Sequence, residues 1–184
     1  MNGRNPRSAV ITISDRCAKG EQADRSGPEI VAAIRSLGWA APTCEVLPDE
    51  EDAISGRLAQ IADGGCDLIL TVGGTGLSPR DCTPEATGRI ADRIVPGLGE
   101  LMRARTAETS PRSYLSRGLA AIRGRCLIVN LPGSMRGAVE MFRAIADLIP
   151  HALAVIHEVP GGRGAHDPPS QEPGPNPREA PDAP

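Results

Sequence analysis

The chain has 184 residues, a formal net charge of −3, a pI near 5.6 and one residue each of Trp, Tyr and Phe. This length suits a single domain with an aliphatic core. The acidic balance and the scarcity of aromatics exclude a surface built for nucleic acid, which needs cationic stripes and stacking platforms.

The N-terminus, MNGRNPRSAV, lacks an apolar signal core, and no stretch reaches the roughly 18 apolar residues of a membrane helix. The five cysteines are scattered, with no C-x-x-C pair. A soluble, reduced, cytoplasmic chain is expected. Residues 1–7 read as a flexible N-terminus. Residues 9–14 form the first strand, a continuous apolar run with β-branched residues. A polar loop follows. Ser26 then offers an N-cap, Pro28 a first-turn residue and Glu29 the capping-box partner, and Gly38 closes this helix. A second strand spans residues 44–47 and ends at Pro48 and Asp49. Helical spacing of Ile54, Leu58 and Ile61 predicts a helix over residues 49–62. The third strand, residues 68–72, runs into Gly73, Gly74, Thr75 and Gly76. Further helices are read at residues 84–94 and 97–107, a strand at 126–130, and a last helical region at 135–158 that Pro150 kinks or divides. From Val159 the text turns proline- and glycine-rich, without any aliphatic larger than alanine after Val159. Residues 159–184 therefore read as a disordered tail.

Strands alternating with helices predict an α/β fold, a three-layer sandwich with a mostly parallel sheet covered by helices on both faces. In such sheets, ligands sit beyond the carboxyl ends of the strands. Four polar loops leave the predicted strand ends: Ser14, Asp15 and Arg16; Pro48 and Asp49; residues 73–81; and residues 130–134. If the strands are parallel, all four open on one rim.

The loop chemistry fits a phosphate ligand. Glycines let backbone N–H groups approach an anion, and a helix N-terminus favours negative charge. The Gly73–Gly76 string is neither a Walker loop, since the only lysine is the distant Lys19, nor a dinucleotide fingerprint, since its third glycine is missing. The alternative is an ordinary tight turn. Asp49 and Asp81 follow strands and precede helices. Asp49 is either a helix-start acid, and Asp81 a brace for its loop, or the two together are a pair of oxygen donors for Mg²⁺. Arg16 and Arg80 are candidate phosphate partners or plain surface arginines. Pro132, Gly133 and Ser134 offer a second group of backbone donors or a simple strand-to-helix turn. The histidines form no zinc-like cluster. Cys82, with no histidine partner in the motifs, reads as a small apolar filler rather than a nucleophile.

The motifs SDR (residues 14–16), DRSGP (24–28), PDE (48–50), TVGGTGLSPRDCTPEAT (71–87), PGLGE (96–100), LSR (115–117) and NLPGS (130–134) occur in this order. Together they resemble the Mog/MoaB family of molybdopterin adenylyltransferases, which is similar to the gephyrin G domain and its plant counterpart. The resemblance spans residues 8–158 as one molybdopterin-binding domain. It implies transfer of AMP from Mg-ATP to molybdopterin, giving adenylyl-molybdopterin and pyrophosphate, and a homo-oligomer, either a trimer or a hexamer of two trimers. By that resemblance Asp49 and Asp81 are the functional acids, holding Mg²⁺ directly or through water. The expected ligand contacts for ATP and molybdopterin phosphates are Ser14, Asp15, Arg16, Gly73, Gly74, Thr75, Gly76, Ser78, Arg80, Thr83, Pro132, Gly133 and Ser134. Two other functions compete: a non-catalytic MoaB-type molybdopterin binder or scaffold, and a nucleotide-dependent oxidoreductase, which the missing third glycine disfavours. Cys82 and Met135 stand where many relatives carry an aliphatic residue and a proline.

Overall fold

The structure, a computed structural model, describes residues 5–158. Its elements in chain order are β1 (Ser8–Ile13), α1 (Asp15–Ala18), α2 (Ser26–Ser36), β2 (Thr43–Leu47), α3 (Glu51–Asp63), β3 (Leu68–Val72), α4 (Thr83–Ile90), β4 (Arg93–Ile94), α5 (Pro96–Ala107), a 3-10 turn (Pro111–Leu115), β5 (Ala120–Arg123), β6 (Cys126–Leu131), α6 (Met135–Ile145) and α7 (Ile149–Ile156). The strands form one sheet in the order 2-1-3-6-5-4. β2, β1, β3 and β6 are mutually parallel, and β5 and β4 add antiparallel steps at the far edge.

The three unbroken apolar runs, β1, β3 and β6, are buried at every position. Their side chains alternate between two cores. Val10, Leu68, Leu70, Leu127 and Val129 meet Ile30 and Ile34 of α2, Met102 of α5 and Phe142 of α6 on one face. Ala9, Ile11, Ile69 and Ile128 meet Ile54 and Leu58 of α3 and Ala86 of α4 on the other. Burial on both faces is why these strands read as continuous rather than alternating patterns. The expected three-layer α/β arrangement is what the chain adopts. Strand order reverses between β1 and β3, which leaves a crevice at their carboxyl ends.

Several local expectations change. The helix read over residues 84–94 ends at Ile90. Arg93 and Ile94 pair antiparallel with β5 instead, a strand too short and alanine-rich to announce itself. Ser26 does not cap α2. Asp24 does, accepting from the N–H groups of Ser26 and Gly27 at 3.0 Å each, while the Ser26 hydroxyl donates to the Gly133 carbonyl at 2.9 Å. The last helical region divides into α6 and α7 before Pro150, which sits in the first turn of α7. Within the segment read as a flexible N-terminus, Pro6 is buried, and the Arg7 N–H donates to Asp67 Oδ2 at 2.7 Å. The tail read over 159–184 lies outside the described residues. Among those described, no helix is long and apolar enough to cross a membrane.

Candidate active site

The parallel pairing of β1, β2, β3 and β6 places the four predicted loops on one rim. After β1, Ser14 caps the short α1, its Oγ accepting from the Cys17 N–H at 3.3 Å, and its own N–H donates to the Leu47 carbonyl of β2 at 2.9 Å. Asp15 and Asp49 are joined reciprocally. The Asp15 N–H donates to Asp49 Oδ2 at 2.9 Å, and the Asp49 N–H to Asp15 Oδ1 at 3.1 Å. Arg80 closes on Asp15 from the glycine loop, Nη2 to Oδ2 at 2.7 Å. Asp15 and Arg80 therefore brace one another, and Arg80 is not an uncommitted cation. Arg16 is exposed. It borders neither of the concavities described below.

The glycine loop has little room for side chains. Gly73 has φ +116°, and a Cβ there would lie 2.2 Å from the Ile13 carbonyl oxygen of β1. Gly74 has φ +63°, and a Cβ there would lie 2.2 Å from Thr83 Oγ1 and 3.2 Å from Asp49 Oδ1. Thr83, expected among the ligand contacts, has a different place. It is fully buried, its hydroxyl donates to the Gly73 carbonyl at 2.9 Å, and its N–H to the Gly74 carbonyl at 3.1 Å. It holds the loop from beneath. Asp81 lies at the other end: a Cβ on Gly76 would stand 2.7 Å from its Oδ2, which also accepts from the Ser78 N–H at 3.2 Å. Both acids thus border the same glycine loop. Among the described residues, the N–H groups of Gly74, Thr75, Gly76 and Leu77 meet no protein acceptor. Gly133 packs on the loop from the β6 side, its Cβ position 3.4 Å from Gly73 Cα. The next residue, Ser134, starts α6 without a side-chain cap bond, which leaves both its hydroxyl and the first N–H groups of that helix for a ligand.

Gly74, Thr75, Gly76, Leu77 and Asp81 share a cavity of about 790 Å³ with Pro132, Gly133 and Ser134, a size suited to a substrate-sized ligand. Asp49 opens instead on an adjoining concavity of about 480 Å³ with Arg80 and Cys82. The glycine loop lines the first concavity, and its continuation at Pro79, Arg80 and Cys82 lines the second. Burial raises the Asp49 carboxyl above its ordinary value, and the charges of Asp15 and Asp81 push the same way. Arg80, bonded to Asp15, holds that carboxyl below its ordinary value. Arg80 lowers the Asp49 carboxyl through its charge alone, while its hydrogen bonds go to Asp15. A partly buried carboxylate flanked by a second acid is the kind of oxygen donor that a hard divalent cation takes. Among the described residues no cluster of three or more His, Cys, Asp or Glu could hold a metal alone. The Cys82 thiol is pushed up by burial and by Asp49, so it is a poor nucleophile.

Two contributions escaped the sequence reading. The far wall of the cavity carries Thr106, Thr109, Ser110, Ser113 and Ser116 from α5 and the 3-10 turn. Hydroxyls so scattered along the chain have no spacing to find. Arg117 lies behind the loop. Its N–H donates to the Thr75 carbonyl at 2.8 Å, Nε to the Gly76 carbonyl at 2.7 Å and Nη2 to the Asp81 carbonyl at 2.6 Å, while Nη1 pairs with Glu85. The LSR motif marks this arginine but not its partners.

Comparison with known proteins adds to this geometry. Residues 9–151 match the family described as Probable molybdopterin binding domain. A molybdopterin adenylyltransferase of Helicobacter pylori (strain J99) is 39% identical over 150 residues, covering 80% of this chain and 85% of its own. That of Escherichia coli (strain K12) is 37% identical over 156 residues, covering 83% and 79%. The crystal structure of the molybdopterin biosynthesis enzyme MoaB from Thermus thermophilus superposes with a TM-score of 0.78 at 45% identity, covering 82% of this chain and 96% of that one.

Proposed function

Because the chain belongs to the Probable molybdopterin binding domain family, we propose that the rim described above transfers AMP from ATP to the terminal phosphate of molybdopterin. The chain is a molybdopterin adenylyltransferase of molybdenum cofactor biosynthesis, in line with relatives of that name at 37% and 39% identity. The observation that carries the placement is the glycine loop, with its successive free N–H groups bordered by Asp49 on one side and Asp81 on the other.

In the reaction an oxygen of the molybdopterin phosphate attacks the α-phosphorus of ATP. One P–O bond forms, the bond to the β-phosphate oxygen breaks, and pyrophosphate leaves with the electron pair. Two anions must come together, so the site has to supply positive potential. The N–H groups of residues 74–77 and the N-terminus of α6 at Ser134 receive phosphate oxygens. Thr83, Arg80 and Asp15 keep the loop and Asp49 in register. Mg²⁺, held by Asp49 and Asp81 directly or through water, would neutralise charge on the triphosphate. No general base is required, because a phosphate nucleophile is already ionised near neutral pH.

The test mixes purified protein, Mg-ATP and molybdopterin, follows pyrophosphate release and identifies the product by mass. Adenylyl-molybdopterin is the expected product. Tight molybdopterin binding without pyrophosphate would mark a binding protein instead. The family resemblance also supports a cytoplasmic homotrimer or hexamer of two trimers, and native mass measurement checks the assembly.

A further inference from the structure

We propose that Arg117 is a positioning residue for adenylyl transfer, turning the free N–H groups of the glycine loop toward the cavity. This rests on the functional reading above. A trans peptide is planar and points its C=O and N–H in opposite directions. The Thr75 carbonyl accepts from the Arg117 backbone N–H at 2.8 Å, and the Gly76 carbonyl accepts from its guanidinium Nε at 2.7 Å. The N–H groups of the same two peptides belong to Gly76 and Leu77, so they face away from Arg117. Gly76 and Leu77 line the cavity and Arg117 does not. The third carbonyl held, that of Asp81 at 2.6 Å, fixes the backbone of the cavity-facing acid relative to the loop.

The platform behind Arg117 is rigid enough for this task. Arg103 of α5 donates Nη1 to the Gly118 carbonyl at 2.9 Å and to the Ser116 carbonyl at 3.4 Å, gripping the backbone on both sides of Arg117. A Cβ on Gly118 would lie 2.7 Å from the Asn130 carbonyl oxygen of β6, and one on Gly99 would lie 3.1 Å from the Gly118 carbonyl oxygen. The segment is wedged between α5 and β6. From there a planar guanidinium reaches two carbonyls and the Glu85 carboxylate at once. Lysine has no such fork.

The test compares full-length Arg117→Lys and Arg117→Gln with the parent chain. Both variants are expected to unfold cooperatively. Turnover should fall on the order of 100-fold, the scale of a roughly 1 Å misplacement, with the KM for molybdopterin changed less than about threefold. Backbone amide resonances of Leu77 and Cys82, whose peptide carbonyls the guanidinium holds, should move most, while those of β1 and β2 stay. Combining Arg117→Lys with Asp81→Asn should cost less than the product of the two losses, since both act on one acid. Turnover within about twofold of the parent, unmoved loop resonances, or fully multiplicative losses would each overturn the proposal. Should the parent chain release no pyrophosphate, the functional reading fails. The resonance shifts then decide alone whether Arg117 holds the loop.

Discussion

Asp15 and Asp49 trade hydrogen bonds, each backbone N–H donating to the other's carboxylate, at 2.9 Å and 3.1 Å. The ring ties the carboxyl end of β1 to that of β2 and sets Asp49 beside Gly74. Only Asp15 has an arginine, and its charge is one of the causes that raise the Asp49 carboxyl. Asp15→Asn removes that charge and releases Arg80 toward Asp49. Both effects lower the Asp49 value. The acid limb of the pH–rate profile should therefore move to lower pH, with turnover reduced because the ring is weakened. An unmoved limb would show that Asp15 does not act through Asp49.

The same two acids contribute to stability with opposite signs. Asp49 is raised above 3.8 in the folded chain, chiefly by burial. Between that ordinary value and its raised one, the folded state holds more protons than the unfolded state. Stability from this group therefore falls as pH rises through that window, and the penalty persists above it. Asp15 lies below 3.8, chiefly through its hydrogen bond from Arg80. Its contribution is present above that ordinary value and is lost as pH falls through its lowered one. Asp49→Asn should then be more stable than the parent at neutral pH and lose that advantage at about pH 4 and below, while turnover is abolished. Denaturant unfolding of Asp49→Asn and Asp15→Asn beside the parent at the two pH values measures both signs.

Much of this site was legible because its signals are local. A buried strand, a glycine string and a helix start are read within residues 68–87, and the parallel sheet then brings Ser14, Asp49 and Ser134 to the same rim. What stayed hidden depends on contacts between distant segments. Arg117 is one of many arginines until its carbonyl partners at Thr75, Gly76 and Asp81 are known. Asp24 displaced Ser26 as the cap because a carboxylate two residues earlier reaches both Ser26 and Gly27, and the freed hydroxyl turns to Gly133. Thr83 lies on the favourable face of its helix start, but Gly73 claims its hydroxyl. β4 and β5 are short and lie at or near a sheet edge, where little apolar pattern is required.

Two glycines of the loop should separate stability from activity. At Gly73 a methyl would meet the Ile13 carbonyl oxygen at 2.2 Å, and φ is +116°. Backbone cannot yield there, so Gly73→Ala should destabilise the chain by about 3 kcal/mol. At Gly76 the methyl meets the end of the Asp81 side chain at 2.7 Å, which can swing aside. Gly76→Ala should fold with less than about 1 kcal/mol lost, yet turn over on the order of tenfold to 100-fold more slowly, because Asp81 has moved. Denaturant midpoints and turnover for the pair check this. Equal destabilisation of both would show that the loop fails as one rigid unit.

The cavity-facing acid gives the sharpest separation of binding from chemistry. Asp81 Oδ2 accepts from the Ser78 N–H at 3.2 Å, and an asparagine oxygen can do the same. Asp81→Asn should therefore leave the loop in place and remove only the negative charge. In the proposed reaction molybdopterin would meet the free N–H groups of the loop and the start of α6, neither of which is altered, so its affinity should change less than about threefold. Turnover should fall on the order of 100-fold or more, because the charge that would hold Mg²⁺ beside the reacting phosphates is gone. Calorimetric affinity beside single-turnover rates distinguishes the two quantities. Equal losses in both would assign Asp81 to substrate binding, and Asp49 alone would then carry the metal.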